Sequence, residues 1–235
     1  MKLSHSAHTQ EGRRRHAKAK PELIKLTPEE EALIQLYLKL NFFPTPAWAT
    51  RAIAHLVRAP LKVGQRILCP EAGQGHMVKV LRALGHDVTA SDIHDYGVGI
   101  EVWDFLEEET IACPWAGPFD WVFMNPPFTG DEAPLAPSIA DHFIARALEL
   151  APDVLVFGRL GFMTPGKRYP TMRDHLEAIY VFCDRVSIAL GRISKKSGAT
   201  DYCFYHFKRE VDELSDPPTI FIPPGSRARF TLITD

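Results

Sequence analysis

The chain has 235 residues, a length that suits one large domain or one domain with appendages. Hydrophobic residues make up 46%, enough for a packed core, and the formal net charge of −2 excludes a globally basic protein, so any surface for nucleic acid must be local. The first residues lack the apolar core of a signal peptide, and no apolar run is long enough to span a membrane. The four cysteines form no CxxC pair, which predicts reduced thiols and a cytoplasmic protein.

The N-terminal residues 1–26 are polar and basic, with three consecutive arginines at positions 13–15. This composition predicts a flexible tail, with a non-specific phosphate anchor as the functional alternative. A helix is predicted to start at Thr27, because proline and acids fill its first turn. Its apolar stripe, which includes Tyr37, predicts core packing. A Phe-Pro-Thr-Pro turn at positions 43–46 separates this helix from the next one.

A glycine-rich sequence follows the first predicted strand. Residues 65–70 form a short apolar segment, after which come Glu71-Ala72-Gly73-Gln74-Gly75-His76 and an amphipathic helical pattern. A strand, a glycine loop and a helix in this order form the cofactor-binding site of doubly wound α/β sheets. The glycines let the backbone approach a ligand closely. A dinucleotide site would need a small residue at position 78, where Val78 stands, so a dehydrogenase is disfavoured.

Acids follow the next two predicted strands. Residues 87–91 form the second strand and lead to Asp92, whose ionised carboxylate only accepts hydrogen bonds and therefore suits the two hydroxyls of a ribose. Residues 98–102 predict a third strand, and Asp104 and Phe105 come shortly after it. Considered alone, Asp104 is also typical of a helix N-cap, since further acids follow it.

A buried strand ends in the sequence Asn125-Pro126-Pro127-Phe128. The four apolar residues 121–124 predict a strand covered on both faces, and the two prolines end it because proline cannot donate to a sheet ladder. The Asn125 side-chain oxygen and the Pro126 carbonyl are two acceptors that suit an amino group with two N–H bonds. Phe128 offers a flat face on which a heterocycle stacks. The four residues therefore indicate a pocket for a planar amine.

The Asn-Pro-Pro-Phe sequence resembles the catalytic motif of class I S-adenosylmethionine-dependent amino-methyltransferases. It is most similar to that of the small adenine-N6 DNA methyltransferases, including those carried by phages. The resemblance covers roughly residues 42–207, in the order Phe-Pro-Thr-Pro, glycine loop, second-strand acid, Asp-Phe-Leu and Asn-Pro-Pro-Phe. It implies an α/β fold with a doubly wound, mostly parallel seven-stranded sheet and an antiparallel C-terminal strand pair.

The resemblance also implies S-adenosylmethionine as the cofactor. Glu71 would lie near the cationic amino group of the cofactor, and Asp104 would accept a hydrogen bond from its adenine amine. The implied catalytic residues are Asn125, Pro126, Pro127 and Phe128. The implied cofactor-binding residues are Phe43, Thr45, Pro46, Glu71, Ala72, Gly73, Gly75, Asp92, Ile93, Asp104, Phe105 and Asn125.

Two basic loops are predicted at the same sheet edge as Asn125, at residues 159–170 and 189–201. Their cations predict contacts with nucleic-acid phosphates, and a solvated loop is the alternative for the first of them. Residues 27–209 would form the methyltransferase domain, with the Pro-rich residues 210–235 packed on it as an extension. The predicted phosphate contacts are Arg159, Lys167, Arg168, Arg192, Lys195 and Lys196.

The activity implied by the resemblance is direct in-line transfer of a methyl group to the N6 amine of adenine in DNA. The base would be flipped out, because its amine is unreachable inside a duplex. The chain has no room for a separate target-recognition domain, which keeps RNA bases and a protein glutamine as alternative substrates. A non-catalytic cofactor-binding subunit is the alternative from another class. No histidine and cysteine spacing predicts a metal site.

Overall fold

A computed structural model describes residues 26–107, 118–127, 138–188, 201–211 and 216–232 of the chain. None of the helices in these ranges is long and apolar enough to cross a lipid bilayer. Short 3-10 turns at Leu160–Met163 and Gly166–Arg168 lead from the fifth strand to the fifth helix. The helices and strands are α1 (Pro28–Lys39), α2 (Ala47–Leu56), β1 (Arg66–Cys69), α3 (His76–Ala83), β2 (Asp87–Asp92), β3 (Glu101–Val102), β4 (Trp121–Met124), α4 (Ile139–Leu150), β5 (Asp153–Arg159), α5 (Tyr169–His175), β6 (Leu176–Phe182), β7 (Tyr202–Lys208), β8 (Thr219–Ile222) and α6 (Ser226–Phe230).

The described strands form one sheet in the order β3-β2-β1-β4-β5-β7-β6-β8. All of them point in one direction except β7, which runs antiparallel to its neighbours β5 and β6. The predicted doubly wound sheet with an antiparallel C-terminal strand is therefore confirmed. The described sheet has eight strands where seven were predicted, because Thr219–Ile222 of the C-terminal extension joins its edge beside β6.

The central strand β4 is buried on both faces, as its apolar sequence predicts. Trp121 and Phe123 point to the face that α2 and α3 cover, where Ile53 is fully buried. Val122 and Met124 point to the opposite face, which α4 covers. This alternation follows from the two-residue period of a strand and places a hydrophobic layer on each side of the sheet.

The parallel strands bring three polar residues to one edge of the sheet. Glu71 follows β1, Asp92 ends β2 and Asn125 follows β4. These strands are neighbours in the sheet and point the same way, so their carboxyl ends lie side by side. Ligands bind at this edge in open α/β sheets.

Helix α1 lies on the surface and contributes no buried residue. Helix α1 follows Thr27 as predicted, and Thr27 and Glu30 form a capping box with hydrogen bonds of 3.0 and 3.2 Å between each side chain and the other residue's backbone N–H. Leu33 and Leu36, however, are 46% and 39% exposed. The prediction that the apolar stripe of α1 packs in the core is therefore wrong.

Arg168 is buried inside the protein, although its loop sequence predicted a phosphate contact. Its guanidinium donates to the Phe162 carbonyl at 3.0 Å and to Ser138 Oγ at 2.7 Å. Its Nε lies 3.3 Å from a carboxylate oxygen of Asp141. These bonds fasten the loop after β5 to the start of α4, so the Arg168 side chain is not available at the surface for a phosphate.

Replacing Arg168 by Met should lower the free energy of unfolding by about 3–5 kcal/mol, because Asp141 would keep a buried charge without its partner. Urea unfolding with an unchanged m-value measures this loss. Arg159, which is exposed at the same edge, provides the control, and Arg159→Met should change stability by at most about 0.5 kcal/mol. Equal losses for the two variants would contradict the structural role of Arg168.

Candidate active site

A cavity of about 210 Å³ opens at the carboxyl ends of β1, β2 and β4. The glycine loop after β1 forms one wall, and the segment between α1 and α2 forms another. Eleven residues that the sequence assigned to catalysis or cofactor binding line it: Phe43, Thr45, Glu71, Ala72, Gly73, Asp92, Ile93, Asp104, Phe105, Asn125 and Pro127.

Some predicted residues lie outside this lining. Pro46 caps the N-terminus of α2, Gly75 caps that of α3, and Pro126 is a buried residue between the lining residues Asn125 and Pro127. Arg159 and Lys167 lie in and after β5 at the same sheet edge, beyond the cavity. The remaining predicted contacts, Phe128, Arg192, Lys195 and Lys196, lie outside the described residues.

The glycine loop has a backbone that other residues adopt only with strain. Gly73 has φ of +54° and Gly75 has φ of +75°, both in the left-handed region. A Cβ atom on Gly73 would lie 2.5 Å from Cε2 of Phe42, well inside van der Waals contact. The Phe42 ring therefore lies directly on the loop, and only glycine leaves room for it.

Asp92 joins the glycine loop to the end of β2. Its carboxylate accepts hydrogen bonds from the backbone N–H of Gly73 at 2.8 Å and of His94 at 3.0 Å. Burial raises the pKa of Asp92, and these backbone donors offset part of that effect. The residue lines the cavity with an acceptor, which is the role that a ribose requires.

Glu71 carries a buried carboxylate whose oxygens have no hydrogen-bond partner among the described residues. Although the residue as a whole is partly exposed, both oxygens are buried. Burial raises the pKa of Glu71 well above its ordinary value, and the nearby negative charge of Asp92 raises it further. The backbone N–H of Asn125 lies near enough to offset part of this effect. An acid in this state binds a cation favourably, because a cation restores the interaction that the carboxylate lost with water.

The side-chain amide of Asn125 is held by the segment that precedes α2. Its Nδ2 donates to the Phe43 carbonyl at 2.6 Å and lies 3.2 Å from Thr45 Oγ1. A carbonyl oxygen can only accept, so the nitrogen rather than the oxygen of the amide must face Phe43. Both N–H bonds are thus directed at this segment, and Oδ1 is the part of the amide left to accept from a ligand.

Asp104 and Phe105 form the far wall of the cavity. Asp104 accepts a hydrogen bond from the backbone N–H of Leu106 at 2.9 Å, which is a local turn rather than the cap of a described helix. Phe105 is buried, and its ring centroid lies 5.3 Å from that of Phe143 in α4. Their side chains therefore shape the wall through packing and a short turn.

A group of aromatic side chains that the sequence did not identify covers the glycine loop. The Phe42 ring lies 4.7 Å from that of Tyr37 and 5.0 Å from that of Tyr96. The Tyr37 hydroxyl accepts a hydrogen bond of 2.6 Å from Gln74 in the loop itself. Tyr37 was assigned to the core because it belongs to the α1 stripe, and only the fold brings it to the loop.

No protein-family model matches the chain, and no curated protein matches it by sequence. Solved structures match it by fold. A type I restriction-modification methyltransferase subunit from Streptococcus thermophilus has a TM-score of 0.48 at 16% identity, over 74% of this chain and 47% of that one. An RNA methyltransferase candidate from Pyrococcus horikoshii has a TM-score of 0.47 at 16% identity, over 78% of this chain and 85% of that one. An S-adenosylmethionine-dependent O-methyltransferase from Thermotoga maritima has a TM-score of 0.45 at 16% identity, over 77% of this chain and 72% of that one.

Substituting Gly73 by Ala should destabilise the protein through two separable effects. The left-handed backbone costs about 1–2 kcal/mol for a residue with a Cβ, and the added methyl group also clashes with the Phe42 ring. In a Phe42→Ala background only the backbone cost should remain. Thermal or urea unfolding of the four proteins in this double-mutant cycle measures the coupling.

Gly161 supplies the control for that cycle, since a Cβ there meets no atom within 4 Å. Gly161→Ala should have the same small effect with or without Phe42. An equal cost of Gly73→Ala in both backgrounds would show that the Phe42 ring does not rest on the loop.

Proposed function

We propose that this protein is an S-adenosylmethionine-dependent methyltransferase that methylates the exocyclic N6 amine of adenine in DNA. One observation carries the proposal: the amide of Asn125 is fixed with its oxygen left to accept, in the same cavity as the buried carboxylate of Glu71. An acceptor for an amine and a site for a cation are the two features that amine methylation by a sulfonium cofactor requires.

The cavity fits the cofactor by the chemistry of its donors and acceptors. The Glu71 carboxylate would hold the cationic amino group, and Asp92 would accept from the ribose hydroxyls. Asp104 would accept from the adenine amine, with Phe105 beside the ring. Gly73 lets the Phe42 ring pack on the loop, because a side chain there would meet that ring.

The Asn-Pro-Pro-Phe segment would hold the substrate amine. Asn125 Oδ1 and the Pro126 carbonyl would accept the two N–H bonds, and Phe128 would stack on the base. When bound, the cofactor supplies a sulfonium methyl group, which the amine lone pair takes as the C–S bond breaks, and the methylated nitrogen releases a proton to water. Asn125 and Pro126 position the amine and polarise its N–H bonds, so no strong base is needed.

A DNA adenine would enter this pocket only after being flipped out of the helix. The exposed Arg159 stands at the end of β5, beside β4 at the same sheet edge, where a phosphate of the flipped strand would pass. RNA bases and a protein glutamine present a similar planar amine and remain the substrates to test against DNA. A non-catalytic cofactor-binding subunit is the alternative without turnover.

Tritiated S-adenosylmethionine offered with unmethylated duplex DNA, transcribed RNA and a cell-protein extract tests the proposal directly. Label in DNA that digests to N6-methyladenine is the expected result. Label in RNA or protein alone would overturn the DNA assignment and retain the amine chemistry. Cofactor binding by calorimetry without label in any acceptor would instead support the non-catalytic subunit.

Replacing Asn125 by Ala should reduce kcat by about 10²–10³-fold, the usual effect of removing one positioned hydrogen-bonding group at a reaction centre. Cofactor affinity should fall much less than turnover, because the lost acceptor acts on the substrate amine and only the bond to the Phe43 carbonyl supports the cavity wall. Single-turnover transfer and calorimetry on the same preparations separate the two effects. Equal losses of turnover and of cofactor affinity would contradict the role given to Asn125.

Cofactor binding should strengthen as the pH rises from the ordinary range of a glutamate through the raised pKa of Glu71, because the carboxyl is neutral below that pKa and must lose a proton to pair with a cation. Binding should therefore release a proton, which calorimetry in buffers of different ionisation enthalpy detects. Above about pH 8 the amino group of the cofactor loses its own charge, so the trend ends there.

Glu71→Gln isolates this effect from other groups that titrate near the cavity, such as Asp92 and His76. The variant should bind the cofactor more weakly, and the part of the pH dependence due to Glu71 should disappear. A wild-type pH profile that the substitution leaves unchanged would show that Glu71 does not meet the cationic group.

A further inference from the structure

The C-terminal extension brings a short helix to the same edge of the sheet as Asn125. Strand β8 runs parallel to β6, and β6 points the same way as β4 and β5 because β7 is antiparallel to both β5 and β6. The chain leaves β8 at Ile222 and enters α6 after two prolines and Gly225. Helix α6 therefore lies where the carboxyl ends of the parallel strands meet the ligand.

Helix α6 is held in place at both ends. The Asp184 carboxylate, which follows β6, accepts the backbone N–H groups of Gly225 at 3.1 Å and Arg227 at 2.7 Å. At the other end, Arg51 Nε in α2 donates to the Phe230 carbonyl at 2.6 Å, and the ring of His55 stacks on Phe230 at 5.6 Å. A five-residue helix is not stable by itself, so these contacts fix its position.

Two arginines occupy the outward side of this fixed helix. Ser226 and Phe230 are buried against the domain, whereas Arg227 and Arg229 are exposed on either side of Ala228. Neither arginine has an ion pair with a carboxylate in the part of the chain that the structure describes. Asp184, which lies close by, uses its carboxylate on backbone N–H groups. The Arg229 guanidinium lies 5.0 Å from the Phe230 ring centroid, a cation–π contact that uses the face of the guanidinium and not its N–H groups. Phosphates are the groups that such planar forks bind well.

The packing of α6 connects it to the wall of the pocket. Arg51 and His55, which contact Phe230, lie in α2, and α2 begins shortly after the cavity residue Thr45. A nucleic acid that continues from a target base in the pocket would therefore pass α6 outside the flipped nucleotide.

We propose that Arg227 and Arg229 form a second contact with the nucleic-acid phosphate backbone, outside the target nucleotide. The proposal rests on nucleic acid being the substrate of the pocket. These contacts position the duplex without reading its sequence, because they reach phosphates and not base edges. They give a chain of net charge −2 a local basic surface at the edge where its substrate binds.

The test compares four full-length proteins on a duplex of about 30 base pairs, by fluorescence anisotropy at several salt concentrations. In the R227Q/R229Q variant, the slope of log Kd against log salt should fall by about 1.8, since each duplex phosphate contact contributes about 0.9. The R227K/R229K variant keeps both charges and should retain most of the wild-type slope. The K62Q/K208Q control removes two charges where β1 begins and β7 ends, at the opposite sheet edge, and should leave the slope unchanged.

Methyl transfer to an adenine-containing single strand of about five nucleotides completes the test. This substrate carries few phosphates beyond the target nucleotide, so the four proteins should methylate it at much closer rates than they methylate the long duplex. If R227Q/R229Q keeps the wild-type slope of log Kd against log salt, while the wild type binds and methylates the long duplex, the contact by α6 is wrong and the proposed function stands. Absence of label from every nucleic acid with the wild type would overturn the proposed function together with this contact.

Discussion

The hydrogen bond from Asn125 to the Phe43 carbonyl is the interaction on which the candidate site depends. It joins the end of the central strand to a segment 82 positions earlier in the chain, at a distance of 2.6 Å. Through this bond the segment between α1 and α2 is held across the mouth of the cavity. The same bond decides which end of the amide faces inward. A single contact thus sets both the shape of the pocket and its hydrogen-bonding character.

The cavity contains two acids in a setting that disfavours their charge. Burial raises the pKa of both Glu71 and Asp92, so the folded protein holds their protons more tightly than the unfolded chain does. Their contribution to stability is therefore complete at pH values below the unfolded pKa and is lost as the pH rises through the folded pKa. Near neutral pH, these residues make the ligand-free protein less stable than uncharged residues would. A bound cation reverses this for Glu71, which is a common arrangement in sites that give up stability for binding.

The sequence predicted those parts of the molecule that depend on local pattern. The apolar run of β4 and the paired prolines after it located the edge of the sheet and Asn125, and the glycine loop and Asp92 followed from the alternation of strands and helices. Three features could not be predicted, because they depend on distant partners. Arg168 lies in a loop sequence typical of a surface, yet Ser138 and Asp141 on another element bury it.

The other two features concern the ends of the chain. Tyr37 belongs to a helical stripe typical of a core helix, but the rest of the fold leaves α1 exposed and directs its hydroxyl to Gln74. The short run Thr219–Ile222 is too brief to distinguish a strand from an extended tail, and it becomes β8 only because the edge of β6 is available. In each case the local sequence permits two structures, and a tertiary contact selects one of them.

The position of β7 has a consequence for the order in which the protein is made. Strands β5 and β6 precede β7 in the chain, yet β7 lies between them and forms the ladder with each. During synthesis, β5 keeps one edge unpaired until β7 has left the ribosome. Strand β6 keeps both edges unpaired until then, because its other neighbour β8 is made later still. Exposed edges of this kind pair readily with other chains, so a truncated product ending before β7 would be prone to aggregate. In the half of the sheet that carries the glycine loop, strands do not wait for a late partner, because β1, β2 and β4 are complete much earlier in the chain.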